Sequence, residues 1–378
     1  MDISFKFDPE ILIGAGTLSM AGTVASRHGA RIMVAADHGL DKQVVDRLKD
    51  ILDDSGLNAI VFDGIENDSP VQMADNIVEL ANAAHCDAII GFGGYKTQIV
   101  ARMAAIMAPM RVTAYELLDG RVMRNKFLPF ISIPTESTNS FSFTDYFLAA
   151  DPRNRLINSI QSPVNLCSAV IIDGSLFQFI SGNAGSPPGA YLLDGLLTAL
   201  EGYCSAKTNF LSDPILERSL TLFAKLLKTG ANGINGDSFA QASFLASFGS
   251  SLSSPGIGAA LADAINARAP VAKQLCSAVL LPQVAKRLVS ARPEKMSRLA
   301  SLLGVPKAAT VADSANAAVE VISRNMATLN IPDNLKKFNI SLDKMTTAAD
   351  SARGLDFIAN SPWPVSEEEV FKILKEIF

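Results

Sequence analysis

The feature that most constrains the fold is an alternation of short apolar runs with amphipathic stretches through the first half of the chain. The apolar runs are typical of buried strands, and the stretches between them have helical spacing. The predicted strands are 30–36, 58–62, 87–90 and 127–133, and the predicted helices are 43–54, 71–84 and a segment after residue 95. Strands that alternate with helices predict a parallel sheet covered on both faces, a Rossmann-like α/β architecture.

The pattern changes near residue 186, where apolar runs give way to helical segments rich in Ala, Leu and Ser. The predicted helices are 190–206, 212–229, 238–251, 256–268, 272–290, 294–303, 308–327 and 366–378. A cluster of Gly, Ser and Pro at 181–189 separates the alternating strands and helices from the helical segments, which is typical of a domain boundary. We therefore expect an α/β dinucleotide-binding domain at 1–183 and an all-helical domain at 184–378.

Charge and composition exclude several classes of partner. The chain has 378 residues and a net charge of −5, and it has no Lys/Arg run, which argues against nucleic acid and anionic membranes. No apolar stretch reaches the roughly 18 residues of a membrane span, and the first residues lack the pattern of a signal peptide. Four scattered cysteines without CxxC spacing indicate reduced thiols. We expect a cytoplasmic protein.

Asp37 is the first candidate cofactor residue, because it follows the predicted strand 30–36 directly. An acidic residue just past a strand of a doubly wound sheet can accept hydrogen bonds from the ribose hydroxyls of adenosine. It would also repel a 2′-phosphate, which favours NAD over NADP. The alternative is an ordinary loop or helix-cap role for Asp37.

A glycine-rich turn follows the strand 87–90, and Gly93 and Gly94 then lead into a helix. Glycines at such a turn allow the backbone to approach a pyrophosphate, and the helix N-terminus supplies free N–H groups. Lys96, in the first turn of that helix, either pairs with phosphate or is a solvated lysine. Tyr95 either stacks on a nucleotide or fills the cleft.

Two segments of the second half carry a family resemblance. DGLLTALEGY at 194–203 is similar to the pattern D-A-L-T-H-A-I-E-A-Y, and SFLASFGSSLSSPGIGAALADAIN at 243–266 is a second strong match. Both resemble the iron-containing (group III) alcohol dehydrogenases, and the resemblance extends over about residues 5 to 375. It implies a dehydroquinate synthase-like fold and an NAD(P)-dependent interconversion of an alcohol and its carbonyl compound. It also implies a homodimer.

The same resemblance adds two cofactor residues. The segment from Ile133 to Ser140 stands where the family has I-P-T-T-A-G-T-G-S-E, a loop that contacts the nicotinamide ribose and pyrophosphate. Thr135 and Thr138 are therefore expected to contact the cofactor. Gly93 and Gly94 match the family motif GGGSxxD, from which Tyr95 and Lys96 depart.

The family's metal ligands, one Asp and three His, are almost all missing. Asp194 stands at the Asp position, but Thr198 stands at the first His, the window 259–265 contains no His, and Lys273 falls on the last His. The chain's only histidines lie in its first 85 residues: His28, His38 and His85. Catalytic transition-metal sites have about three protein ligands. Because only Asp194 is retained, we expect no catalytic iron or zinc.

Lys273 suggests a replacement for the metal. A family metal stabilises the negative charge that develops on a substrate oxygen, and a buried ammonium can do so more weakly. The hypothesis is that Lys273 occupies the metal position and pairs with Asp194, with Asp263 as a second possible partner and Thr198 as a weaker candidate electrophile. The alternative is a salt bridge that only fills the space.

Three functions follow as alternatives. The first is an NAD-linked oxidoreductase without the family metal. The second is a non-catalytic relative that binds a ligand or acts in assembly, and the third is a cyclase of the dehydroquinate synthase type, which needs the same NAD and metal. The expected pocket is polar, and Lys273 and Arg155 could bind an anion; it would hold Glu136, Asp194, Thr198, Asp263 and Lys273. These groups favour a polyol, sugar or acidic substrate.

Overall fold

The computed structural model describes residues 8–65, 70–120, 126–137, 139–162, 167–177 and 186–378. The chain divides into two compact units, the first comprising residues 1–154 and 158–178 and the second residues 155–157 and 179–378. The expected boundary between residues 183 and 184 lies outside the described residues.

The first unit carries the strands and five of the helices. The strands are β1 (Glu10–Ile13), β2 (Arg31–Asp37), β3 (Asn58–Ile65), β4 (Ala88–Gly93), β5 (Phe130–Pro134), β6 (Tyr146–Ala150), β7 (Ile157–Gln161) and β8 (Cys167–Ile172). The helices are α1 (Ala21–Ala25), α2 (Lys42–Asp54), α3 (Pro70–Ala83), α4 (Tyr95–Met110) and α5 (Ala114–Leu118). Six strands form one sheet in the order β1-β8-β5-β4-β2-β3, and every pair is parallel.

The sheet confirms the α/β prediction and explains the apolar runs. All six residues of the central strand β4 are buried, as expected where helices cover both faces. Strands β2, β4 and β5 are neighbours, with Val34 beside Ile90 and Ile90 beside Ile131. Because parallel strands end at the same edge of a sheet, the residues that follow β2, β4 and β5 come together there.

The second unit is helical, as predicted. Its helices are α6 (Pro188–Cys204), α7 (Ser212–Thr229), α8 (Gly236–Ser251), α9 (Ile257–Asn266), α10 (Lys273–Ala291), α11 (Pro293–Leu302), α12 (Val311–Thr328), α13 (Leu342–Arg353) and α14 (Glu367–Ile377). Helix α6 is almost wholly buried and packs against α7, α8, α9 and α10, so its side chains face the centre of the unit. In the parts of the chain that the structure describes, no helix combines the length and the apolar character needed to cross a bilayer.

Candidate functional site

Asp37 and Gly93 lie side by side at the carboxyl edge of the sheet. The Asp37 carboxylate accepts a hydrogen bond from the Gly39 N–H at 2.9 Å and another from the Thr97 hydroxyl at 3.3 Å. A Cβ on Gly93 would lie 2.8 Å from the Asp37 Cβ and 2.9 Å from the Thr97 side chain, so only glycine fits. Each carboxylate oxygen has a second lone pair, which leaves Asp37 able to accept ribose hydroxyls.

A cavity of about 390 Å³ opens beside Asp37. Its lining mixes acidic, basic and apolar side chains from β2, β3 and α2 and the loops that follow the strands: Asp37, His38, Leu40, Lys42, Val45, Asp46, Lys49, Ala59, Val61 and Asp63. A cavity of this size falls in the range of small-molecule sites.

A carboxylate occupies the N-terminus of α4, where the sequence predicts a pyrophosphate. Gly94 caps α4, and its missing side chain is matched by Glu136, because a Cβ there would lie 2.6 Å from the Glu136 carboxyl carbon. The Tyr95 N–H donates to Glu136 Oε2 at 3.3 Å. A carboxylate satisfies the free N–H groups and the positive potential of a helix N-terminus as a phosphate would. The sequence places Glu136 in the pocket but does not predict this contact.

The other expected cofactor residues have less defined roles. Thr135 is buried and its N–H donates to the Gly93 carbonyl at 3.1 Å, which ties the loop to β4. Lys96 is half-buried as the second residue of α4. Thr138 lies outside the described residues.

Gln98 is a positioning residue that sequence reasoning missed. This buried side chain donates to the carbonyls of Gly91, Gly93 and Ile133 at 2.9, 3.1 and 3.2 Å and accepts from the Ser132 hydroxyl at 2.8 Å. It thus joins the ends of β4 and β5 and holds the glycine turn and the following loop in register. The sequence offers no signal for it, because a single Gln in a helix gives no hint of burial.

In the second unit, Lys273 and Asp194 form a buried ion pair. Asp194 projects from α6 and Lys273 is the first residue of α10, and the Lys273 Nζ lies 2.9 Å from Asp194 Oδ1. The two side chains are 13% and 8% exposed, so the pair is largely shielded from water. Thr198 donates its hydroxyl to the Asp194 carbonyl at 3.0 Å and is therefore engaged with its own helix. The structure brings together the three residues proposed for this locus.

The charges around Lys273 keep it protonated. Burial by itself lowers the pKa of Lys273, but the Asp194 and Asp263 carboxylates outweigh burial and raise the pKa above its ordinary value. Asp263, on α9, is also buried. The Lys273 side chain is therefore an ammonium at neutral pH, with three N–H donors, one of which Asp194 accepts.

Glu201 is a second buried carboxylate of this region. It is 4% exposed and accepts N–H donors from Gly258 at 2.6 Å and Ala259 at 3.0 Å, at the N-terminus of α9. Burial raises the pKa of Glu201 to about 7, although the α9 N–H groups and Lys273 act in the opposite direction. Glu201 therefore anchors α9 and changes charge near neutral pH.

The donor set does not suit a catalytic iron or zinc ion. Among the described residues, no group of three or more His, Cys, Asp or Glu side chains is arranged to hold a metal. The retained ligand position, Asp194, is in contact with the positive charge of Lys273. An ammonium in that place repels a divalent cation and occupies its carboxylate ligand.

Comparison with known proteins identifies relatives for both units. Residues 8–174 match the family model described as iron-containing alcohol dehydrogenase, and residues 190–378 match the C-terminal model of the Fe-containing alcohol dehydrogenase family. The 1,3-propanediol dehydrogenase of Citrobacter freundii is 25% identical over 93% of this chain and 92% of its own.

Solved structures show the same fold. A 1,3-propanediol oxidoreductase superposes with a TM-score of 0.90 at 23% identity, covering 100% of both chains. The sulfoacetaldehyde reductase of Bifidobacterium kashiwanohense, in complex with NAD⁺, superposes with a TM-score of 0.84 at 19% identity, covering 100% of this chain and 99% of its own.

Proposed function

Because the chain belongs to the iron-containing alcohol dehydrogenase family, we propose that it is an NAD(H)-dependent oxidoreductase that works without the family metal. It interconverts a small alcohol or polyol and its carbonyl compound. The observation that carries the proposal is the Lys273 ammonium, held 2.9 Å from the one retained ligand position, Asp194. In the proposal this cation takes the place of the family metal.

The proposed chemistry assigns one role to each of these groups. The nicotinamide, when bound, supplies the hydride. Lys273 donates a hydrogen bond to the carbonyl oxygen and passes a proton to that oxygen as the hydride reaches the carbon, so that the alcohol forms and the amine recovers its proton from water. Preorganised donors of this kind stabilise developing negative charge without reorganising during the reaction. Asp194 orients the ammonium and keeps it charged.

Asp37 suits the adenosine ribose of NAD, whereas Glu136 has to move before the pyrophosphate of NAD can bind. Asp37 offers carboxylate oxygens to ribose hydroxyls, and its negative charge disfavours a 2′-phosphate, which supports NAD as the preferred form. Glu136 stands at the α4 N-terminus and has to turn away before a pyrophosphate can bind there. The NAD⁺ complex of the sulfoacetaldehyde reductase supports use of the same cofactor.

A second candidate function is that of a non-catalytic relative. The observation that favours it is the Glu136 carboxylate, which satisfies the α4 N-terminus from within the chain and competes with any pyrophosphate. The sugar-phosphate cyclase alternative needs the same nucleotide and a bound metal, and the relatives found in the comparisons do not favour it.

The experiment is a titration of EDTA-treated protein with NAD⁺ and NADH, followed by NADH oxidation with a panel of short aldehydes and ketones. We expect both nucleotides to bind, and we expect binding to weaken in Asp37→Ala. Asp41→Ala is the matched control, because Asp41 caps α2 through the Gln43 N–H and lies a few residues farther along the chain. Absence of nucleotide binding would contradict the proposal and favour the non-catalytic relative.

We also propose that the protein is cytoplasmic, forms a homodimer and has two functional domains that meet at residues 183 and 184. Four free and buried thiols support a reducing compartment, the cytoplasm. The homodimer implied by the family can be tested by light scattering. The division into functional domains at residues 183 and 184 can be tested by limited proteolysis.

A further inference from the structure

Arg268 is a buried cation, and only one of its three guanidinium nitrogens donates a hydrogen bond to a described residue. It follows α9 and is 3% exposed, and its Nη1 donates to the Ala264 carbonyl at 2.9 Å. Its Nε and Nη2 are shielded from solvent and have no hydrogen-bond partner among the residues that the structure describes. A buried donor without a partner loses its hydration without compensation, which is unfavourable for folding.

The two unused donors share one edge of the guanidinium. The N–H bonds at Nε and Nη2 point in the same direction and form a fork that matches two oxygens of a carboxylate, sulfonate or phosphate. The bond to Ala264 satisfies a carbonyl at the end of α9, a capping role for which one donor is enough. That structural role leaves the fork itself unexplained.

A second cation lies against Arg268. Arg155 donates from Nη1 to the Arg268 carbonyl at 3.3 Å. Burial and, after it, the positive charge of Arg155 lower the pKa of Arg268 to about 10, so that Arg268 is still charged at neutral pH. In the described part of the second unit, neither the Arg155 nor the Arg268 guanidinium has an ion-pair partner. The remaining residues of that unit, 179–185, include no Asp or Glu that could supply one.

Two neighbouring cations that have no ion-pair partner among the described residues destabilise each other, so an anion bound close to both would be favoured. We propose that Arg268 and Arg155 form a binding site for an oxyanion group, a carboxylate, sulfonate or phosphate, carried by the substrate. Arg268 holds two oxygens through Nε and Nη2, and Arg155, whose side chain is exposed, closes over the group. Because Nε and Nη2 are shielded from solvent in this structure, the proposal requires neighbouring groups to move before the anion can bind.

The site belongs to the same stretch of chain as the proposed electrophile. Arg268 and Lys273 are separated by the short loop between α9 and α10, which the Asn266 side chain fastens by donating to the Val271 carbonyl at 2.8 Å. The chain between them limits the separation of the two Cα atoms to about 18 Å, and a substrate that carries both an anion and a carbonyl would have to bridge the two side chains. The assignment of the anion to the substrate rests on the proposed function; the binding of the anion does not.

The first test is a calorimetric titration of the full chain with inorganic phosphate, without nucleotide. We expect binding to the wild type, and at least about tenfold weaker binding to Arg268→Lys, which keeps the charge but loses the fork. Arg155→Gln should also weaken binding, and its exposed position keeps it foldable. Arg287→Lys is the control, because Arg287 already pairs with Glu376 at 3.2 Å and should leave phosphate binding unchanged.

Equal phosphate binding by the wild type, Arg268→Lys and Arg155→Gln would overturn the proposal, as would absence of binding to the wild type. A second measurement compares kcat/KM for succinic semialdehyde and for butanal, which differ by a carboxylate. We expect the wild type to prefer the charged aldehyde and Arg155→Gln to lose that preference. If neither aldehyde is reduced, the proposed oxidoreductase function fails, and the phosphate titration alone decides the anion site.

Discussion

Lys273 and Asp194 hold two opposite charges in contact, on α10 and α6. In the proposed function the ammonium takes the place of the family metal, and the contact makes each residue dependent on the other. Removing one partner of a buried pair leaves an uncompensated charge, whereas removing both can be nearly neutral. The pair therefore contributes to the stability of the folded chain, and its Lys273 is also the candidate electrophile.

We predict that Asp194→Ala lowers the free energy of unfolding by about 3 to 5 kcal/mol, because the Lys273 ammonium is left buried and unpaired. Lys273→Met alone should also be destabilising, since it strands the Asp194 carboxylate. The double variant Asp194→Ala, Lys273→Met should recover most of the loss. Urea denaturation of the four proteins measures the coupling, and additive single effects would contradict a direct pair.

The sequence predicts the pairing of Lys273 with Asp194 and places Glu136 in the pocket, but it predicts neither the contact of Glu136 with α4 nor a role for Arg268. Lys273 could be found because a strong local match, SAVLLP at 277–282, fixes its position against the missing histidine. The unused donors of Arg268 and the contact of Glu136 with α4 depend on which atoms face each other after folding. Neither has a spacing or composition that a single sequence can reveal.

At the level of elements, the proposed function depends on the N-terminus of α4, where the pyrophosphate of the nucleotide would bind. The helix begins at a glycine without a side-chain cap of its own, and Glu136 from the loop after β5 supplies the negative charge. Because two anions cannot share that position, we propose that Glu136 competes with the pyrophosphate.

We predict that Glu136→Ala binds NADH at least about tenfold more tightly than the wild type, because a charge close to the phosphates has been removed. Glu136→Gln, which keeps the shape but loses the charge, should fall between the two. Fluorescence titration of NADH measures the affinities. Glu116→Gln is the control, since it removes a carboxylate charge from α5 while Gln can still accept from the Thr113 N–H of the capping box. Unchanged affinity in both Glu136 variants would contradict the competition.

The long, strongly patterned elements were predictable, and the short ones were not. The four predicted strands correspond to β2, β3, β4 and β5, and the predicted helix at 366–378 corresponds to α14. Strand β1 has only four residues and gains its stability from pairing with β8, from Glu10 beside Ala169 to Ile13 beside Ile172. Such distant pairing leaves little periodicity in the local sequence.

For the whole molecule, the buried Glu201 links folding to pH. Its pKa is raised to about 7 in the folded chain, whereas an unfolded Glu has its ordinary value near 4.5. The folded state therefore binds the proton more tightly, so the stabilisation is complete below the unfolded pKa and is lost as the pH rises through about 7.

We predict that the free energy of unfolding of the wild type falls by roughly 3 kcal/mol more than that of Glu201→Gln between pH 5 and pH 8. The comparison with Glu201→Gln removes the contributions of the other titrating groups. Urea denaturation at a series of pH values provides the measurement. Parallel pH profiles for the two proteins would show that Glu201 is ionised throughout, held by the N–H groups of α9.

The whole molecule keeps the fold of its family, and we propose that its catalytic centre has changed. Both units match the iron-containing family, yet the described residues provide no metal cluster, and Lys273 stands against Asp194. A fold is retained by its buried strands and helices, whereas a reaction depends on a few side chains, so the two can diverge.

The most direct measurement is the rate of NADH-dependent carbonyl reduction by protein that a chelator has freed of metal. This rate is compared with that of the same protein after addition of Fe²⁺ or Zn²⁺. It is also compared with that of the chelator-treated variant Lys273→Met. We predict an equal rate with and without metal, and a loss of about 100- to 1000-fold in Lys273→Met, the effect of removing one preorganised donor. A rate that vanishes on chelation, returns with the metal and survives in Lys273→Met would contradict the replacement of the metal by Lys273.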